Sequence, residues 1–321
     1  MENGSSFLTA INSTLFSAVP GGFGWVHNLS LALLAVFLLP WIYMLLILSS
    51  VPYLHVCNFL RCCFWKKKSD EEFWNGALRF MASIWNVHSR LFHGYEVTGL
   101  ENLPENGPAL IIYYHGALPI DMYYLTAETM LKRNRLIHTI GDRFLDRIPG
   151  WRLVSRVMNV TPGSVQSCVQ TLRAGELLSI APGGVYEAQF GDNTYEILWK
   201  KRTGFARVAL EAQVPIVPML TTNIRECFRT VAVGKSVFTR IYSTLKIPIL
   251  PIYGGFPVKL RTVLGKPIPY DGSLTPEALQ EKVVAAVAEL VKQHQRVPGD
   301  ILQAIGDRFD TKNFLKQEGK T

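Results

Sequence analysis

The sequence predicts an α/β domain, a largely parallel central sheet flanked by helices, held behind a membrane anchor. Three observations predict it. Short apolar runs without polar alternation recur after residue 108, as in strands buried on both faces. Helix-like segments separate those runs, the order that builds a parallel sheet by crossovers. Near the N-terminus lies one apolar stretch longer than the roughly 20 residues that span a bilayer core.

That stretch is Leu29 to Leu54, "LSLALLAVFLLPWIYMLLILSSVPYL". No Asp, Glu, Lys or Arg occurs between Glu2 and Arg61. A soluble core helix of this length needs a polar face, and this one has none. Its N-terminal flank lacks the positive region of a cleaved signal peptide, so it reads as a retained anchor. Arg61, Lys66, Lys67 and Lys68 follow it. The positive-inside rule therefore puts the downstream domain in the cytosol and residues 1–28 in the lumen. Asn3, Asn12 and Asn28 begin Asn-x-Ser/Thr sequons, which fits. Two arrangements remain open: a single span, or a hairpin folded at Pro40 with both termini cytosolic. The net charge of +8 points to a polyanionic partner. The basic residues are dispersed and the one tight run abuts the apolar stretch, so the bilayer fits better than nucleic acid. Five cysteines, an odd number without metal-like spacing, argue against a disulfide scaffold or a zinc site.

Residues 55–93 hold the basic juxtamembrane segment and an amphipathic helix. Phe73, Trp74, Ala77, Leu78, Met81, Ile84, Trp85 and His88 recur at helical intervals. That face either packs on the core or lies in the membrane interface. The domain proper is expected over 94–296, with a tail at 297–321. Its strands are "GYEVTGL", "PALIIYY", "RLIHTI", "LLSIA", "VPIVPML" and "PVKLRTVLGKPI". Its helices run from Ile120 to Lys132, Ser164 to Arg173 and Gly204 to Gln213. A final helix starts with Thr275 as N-cap and Pro276 at its first position.

The chemistry-bearing residues stand where strands end. "PALIIYY" runs into His115 and Gly116, at the strand ends where open α/β sheets place ligands. Pro119 can open a helix and put Asp121 in its first turn, where the helix dipole favours an ionised carboxylate. A histidine oriented by a carboxylate is a ready general base. An aspartate there also serves simply to start a helix. A second strand ends in Pro182, Gly183 and Gly184, with Glu187 after them. Paired glycines can turn backbone N–H groups toward an oxyanion, or merely make a tight turn. Lys200, Lys201 and Arg202 precede a helix and can meet phosphates or form a solvated run.

In this order, "HGALPID", "PGGVYEA", "GFARVALEAQVPIVPM" and "YGGFPVKLRTVLGKPIPY" resemble the PlsC-type glycerolipid acyltransferases, in particular the diacylglycerol-acyltransferase-like branch. The resemblance spans about Gly94 to Tyr270. It implies that His115 deprotonates an acceptor hydroxyl, that Asp121 holds the imidazole, and that Gly116, Pro182, Gly183, Gly184, Glu187 and Arg202 line the substrates. It implies an acyl donor, acyl-CoA or a phospholipid, and no cofactor or metal. Lys200–Arg202, or Arg143 and Arg147, are the candidates for a donor's phosphates. It places the protein in the endoplasmic reticulum membrane, where glycerolipids are made, as a maker of triacylglycerol or related lipids. Two departures matter. Five residues separate His115 from Asp121, where the family usually has four, which loosens the carry-over to Asp121. The usual Pro-Glu-Gly-Thr-Arg turn is Pro-Gly-Gly-Val-Tyr-Glu here, without the arginine that meets an acceptor phosphate, so the acceptor is expected to be neutral mono- or diacylglycerol. A non-catalytic lipid-binding protein, a lysophospholipid acyltransferase and a lipid hydrolase are the alternatives.

Overall fold

The computed structural model describes residues 24–64, 70–142, 145, 149–231 and 251–309. Most of the expected lumenal segment, the basic run Lys66–Lys68, Arg143, Arg147 and the chain beyond 309 lie outside the described residues.

Helix α1 (Gly24–Leu48) is followed by α2 (Ser50–Phe64) and α3 (Asp70–His93). α1 runs through Pro40 without interruption, and the irregularity falls at Ser49 instead. There the Ser49 hydroxyl donates to the Leu46 carbonyl at 2.6 Å, satisfying a terminal acceptor. Among the described residues one helical stretch, Trp41–Phe64, is long and apolar enough to cross a membrane, with mean hydropathy 1.5.

The last turns of α1 belong to the domain core. Tyr43 and Ile47 are buried. Tyr43 stands edge-on to Phe228, ring centroids 4.9 Å apart, and its hydroxyl lies 3.0 Å from His93 Nε2. His93 Nδ1 is 3.0 Å from the Val258 carbonyl. A carbonyl can only accept, so Nδ1 carries the proton and Nε2 accepts from Tyr43. α3 has two apolar faces. Leu78, Met81 and Trp85 are buried, while Phe80, Ile84, Val87 and Leu91 form an exposed stripe at helical spacing. The sequence left core packing and an interfacial role as alternatives for this helix; it carries a surface for each.

The domain continues with β1 (Glu96–Thr98), β2 (Ala109–Tyr113), α4 (Ile120–Arg133), β3 (Ile137–Gly141), α5 (Trp151–Val157) and β4 (Val160–Pro162). Then come α6 (Val165–Arg173), β5 (Leu177–Ile180), α7 (Gly184–Phe190), α8 (Gly204–Ala212) and β6 (Ile216–Thr222). The chain closes with α9 (Ile224–Cys227), β7 (Phe228–Thr230), β8 (Ile252–Gly254), β9 (Arg261–Leu264), α10 (Pro276–His294) and α11 (Ile301–Gly306). The main sheet has the order β1-β9-β6-β2-β5-β3-β4, with β7 and β8 paired apart. It is parallel except where β6 meets β9. This is the mixed, largely parallel α/β sheet that the unbroken apolar runs require.

β2 sits at the centre of the order and all five of its residues are buried. Its alternate side chains feed two clusters: Leu110 and Ile112 join the larger, Ala109, Ile111 and Tyr113 the smaller. Helix caps explain several boundaries. Thr275 accepts from the Ala278 N–H at 3.2 Å, with Pro276 next. Ser164 and Ser167 form a reciprocal capping box that starts α6. Core packing extends beyond the expected boundaries at 94 and 296. Tyr43, Leu54, Met81 and Trp85 share the larger cluster, and Ala304 of α11 is fully buried.

Candidate active site

β2, β5 and β6 are parallel neighbours, so their C-terminal ends open at one edge of the sheet. β2 delivers His115 there and β5 delivers Pro182 to Gly184. β6 delivers α9, with Asn223 in the left-handed region at φ 60° to turn the chain.

His115 is held by its backbone on both sides. Its N–H donates to Glu187 Oε2 at 2.9 Å, and its carbonyl accepts from Arg225 Nη2 at 2.8 Å. Its ring stacks on Tyr113, centroids 5.9 Å apart. Nδ1 lies 2.6 Å from the Gly116 carbonyl. That carbonyl can only accept, so Nδ1 bears the proton and Nε2 bears the lone pair. Among the described residues Nε2 makes no hydrogen bond. Burial pulls the imidazole down to about 4, with the Arg225 cation adding to that and the Gly116 carbonyl opposing it. At neutral pH the ring is therefore an unprotonated base.

The resemblance implied that Asp121 holds this ring; in the structure the Gly116 carbonyl does so. Asp121 sits in the first turn of α4 as expected, but it is fully buried and neither carboxylate oxygen has a hydrogen-bond partner. Nor is it ionised in the way the helix dipole suggested. Burial pushes its pKa up to about 7, and the nearby Thr221 hydroxyl and helix-start N–H groups offset this only in part.

Glu187 is a structural hub facing protein rather than a free substrate ligand. It is fully buried. Oε2 accepts from the His115 N–H at 2.9 Å and from Trp199 Nε1 at 3.3 Å, and Oε1 from the Leu198 N–H at 3.0 Å. Burial raises its pKa, and these donors together with the Arg225 charge oppose the rise. Glu187 also explains a glycine. A Cβ on Gly183 would lie 2.4 Å from Glu187 Cβ. Gly184 takes φ +49°, and its N–H is spent on the Ala181 carbonyl at 3.0 Å, so it does not point to an oxyanion. Arg202 Nη1 bonds the Pro182 and Gly183 carbonyls at 2.7 and 2.9 Å and ties down the turn. Lys200, Lys201 and Arg202 are exposed, and Lys200 Nζ sits 4.0 Å from the centre of the Tyr186 ring.

The structure thus brings His115, Gly116, Pro182, Gly183, Gly184, Glu187 and Arg202 to one edge and leaves the Asp121 carboxylate without contact to His115. Sequence reasoning missed Arg225, Tyr114, Tyr195 and Trp199. One signal was available: Arg225 comes three residues after the end of the fully buried strand β6, an unusual place for a charge. Among the described residues no three His, Cys, Asp or Glu side chains come together to hold a metal ion.

The family described as Acyltransferase matches residues 94–222. The chain is 44% identical over 285 residues to the "DGAT1/2-independent enzyme synthesizing storage lipids" of Bos taurus, covering 89% of this chain and 84% of that one. It is 45% identical over 276 residues to the Homo sapiens protein of the same name, covering 86% and 84%. The structure is similar to that of the 1-acyl-sn-glycerophosphate acyltransferase PlsC from Thermotoga maritima. The TM-score is 0.57 at 17% identity, covering 81% of this chain and 96% of that one, which shows the shared fold. On these grounds the chain belongs to the PlsC-type acyltransferase family and is an acyltransferase.

Proposed function

We propose that this enzyme moves a fatty acyl group to the free hydroxyl of a mono- or diacylglycerol, making triacylglycerol or a related glycerolipid. The observation that carries this is the tautomer of His115: the Gly116 carbonyl holds Nδ1–H, and Nε2 keeps its lone pair unengaged. Nε2 takes the proton of the acceptor hydroxyl, and the oxygen attacks the acyl carbonyl. The tetrahedral intermediate expels the thiolate of acyl-CoA, or the alkoxide of a lysophospholipid if a phospholipid is the donor. The leaving group takes back the proton from the imidazolium. No acyl-enzyme is needed, and the chain has no G-x-S-x-G to supply one. Above its pKa of about 7 the Asp121 carboxylate is ionised and is the group left to offer counter-charge to the transient imidazolium, since Glu187 is already committed to its N–H donors.

A neutral acceptor is supported by the turn at 182–184, where the guanidinium present, Arg202, already bonds two carbonyls. The relatives named for synthesizing storage lipids point the same way. The apolar helices and the basic flank support a bilayer setting, with the domain on the cytosolic face of the endoplasmic reticulum.

The test uses the full chain in phosphatidylcholine vesicles, supplied with acyl-CoA and offered diacylglycerol or lysophosphatidic acid. Triacylglycerol is the expected product, and His115→Ala is expected to slow its formation by about 10²–10⁴-fold. Neutral-lipid mass spectrometry of cells expressing the two forms at matched levels gives the same comparison. Efficient acylation of lysophosphatidic acid with none of diacylglycerol would replace the proposed acceptor. An active His115→Ala would remove the proposed base.

A further inference from the structure

We infer that Arg225 is a positioning residue for acyl transfer, fixing the backbone of His115 against α7. This rests on the reading of His115 as the base. Arg225 is one of the largest fully buried side chains in the protein. Among the described residues it makes no ion pair; its side-chain hydrogen bonds all go to neutral groups, while its charge also acts on the neighbouring Glu187 carboxylate. Nε donates to the Tyr114 hydroxyl at 3.1 Å. Nη1 donates to the Ala188 carbonyl at 3.0 Å. Nη2 donates to the His115 carbonyl at 2.8 Å and also to the Glu187 carbonyl. A buried cation without a directly paired carboxylate is a costly choice for stability alone, where an apolar side chain would serve as well. What this cation does achieve is to join the His115 peptide to two consecutive peptides of α7 through one rigid fork.

The surroundings are shaped for it. A Cβ on Gly191 would lie 2.1 Å from Arg225 Nη2, so only glycine admits the guanidinium. A Cβ on Gly116 would lie 2.4 Å from Ile224 Cγ1, so the His115–Gly116 loop rests directly on α9. α9 thus grips the loop through its carbonyl side, and Glu187 grips it through its N–H side. The charged and titratable groups around His115 are Glu187 from α7, Arg225 from α9 and the Tyr113 phenol from β2, on which the Asp121 carboxyl of α4 also acts. Removing the Arg225 cation removes one influence that holds the imidazole neutral. The base works unprotonated, and activity falls as pH drops through its pKa. A raised pKa therefore moves the acid limb to higher pH.

The experiment compares Arg225→Gln, Arg225→Lys and Gly191→Ala with wild type, as full chains in phosphatidylcholine vesicles containing diacylglycerol and supplied with acyl-CoA. In Arg225→Gln and Gly191→Ala, kcat is expected to fall about 10²-fold, with KM for diacylglycerol changed by no more than about twofold. In Arg225→Gln the acid limb of kcat/KM is expected to rise by about one unit. Arg225→Lys keeps the charge without the fork, so its limb stays with wild type while kcat remains low. Wild-type kcat in a folded Arg225→Gln overturns the inference. So does a low kcat with an unmoved limb, or failure of both Arg225→Gln and Gly191→Ala to fold, because each assigns the guanidinium a purely structural part. An active His115→Ala would instead bring down the reading on which the inference rests.

Discussion

Asp121→Asn is expected to give an enzyme that is more stable at neutral and alkaline pH and slower above about pH 7, where the wild-type carboxylate is ionised. The carboxylate is fully buried without a hydrogen bond, and burial holds its pKa near 7 against an ordinary 3.8. Between those values the folded protein keeps a proton that the unfolded chain gives up. Stability therefore falls as pH rises from about 4 to about 7, by on the order of 4 kcal/mol if the whole shift is expressed. Asparagine has nearly the same shape and no charge, so its melting temperature should stay flat across that window and exceed the wild type's above it. Activity should move the other way. The imidazolium formed in the transition state loses its counter-charge, and loss of a carboxylate in that part costs about 10²–10⁴-fold elsewhere. Melting curves from pH 4 to 8 and initial rates on diacylglycerol check both halves. A stabilised variant with undiminished rate would mean that the Gly116 carbonyl suffices to hold the ring, and Asp121 would lose its catalytic part.

Glu187→Ala is expected to unfold the site. Its carboxylate receives the His115 and Leu198 N–H groups and Trp199 Nε1, all in the interior. An orphaned buried donor costs about 1–3 kcal/mol. Losing all of these acceptors therefore consumes much of a stability that totals about 5–15 kcal/mol. Gly183→Ala should resemble it, because the new methyl would land on Glu187. Glu187→Gln keeps one acceptor oxygen but sets an amide N–H against a donor, so it should fall between. Thermal melts order the three variants. A Glu187→Ala protein that melts with wild type would show that water replaces the carboxylate, and that His115 does not depend on it.

The central strands were legible because burial on both faces leaves few polar positions in them and no polar alternation. "PALIIYY" could be little else, and β2 lies at the centre of the sheet. Thr275 and Pro276 announced α10 through chemistry local to four residues. β4, β7 and β8 went unread because each has three residues, too few to show a period; β1, equally short, was read only from the longer run "GYEVTGL" around it. The site divided along the same line. His115 and the Pro182–Gly184 turn were visible because they interrupt apolar runs. The grip on His115 was not, because it joins residues 72 and 110 positions away, Glu187 and Arg225. Glu187 was noticed for its charge and assigned to substrate. Only the packing of Gly183, Leu198 and Trp199 around it shows that its charge is spent inside the protein.

The burial of Tyr43 has a mechanical meaning. A catalytic domain on a flexible linker samples a volume set by linker length, and its reach is a matter of statistics. Here the last turns of α1 are part of the core, locked by the Tyr43 hydroxyl on His93 and by Ile47. Were the apolar helical stretch that runs on from α1 seated in a bilayer, the crevice would have no leash and would stand at one height and one tilt. Bilayer thickness would then be a variable of turnover, because any adjustment of the helix to a thicker or thinner membrane would move His115 with it.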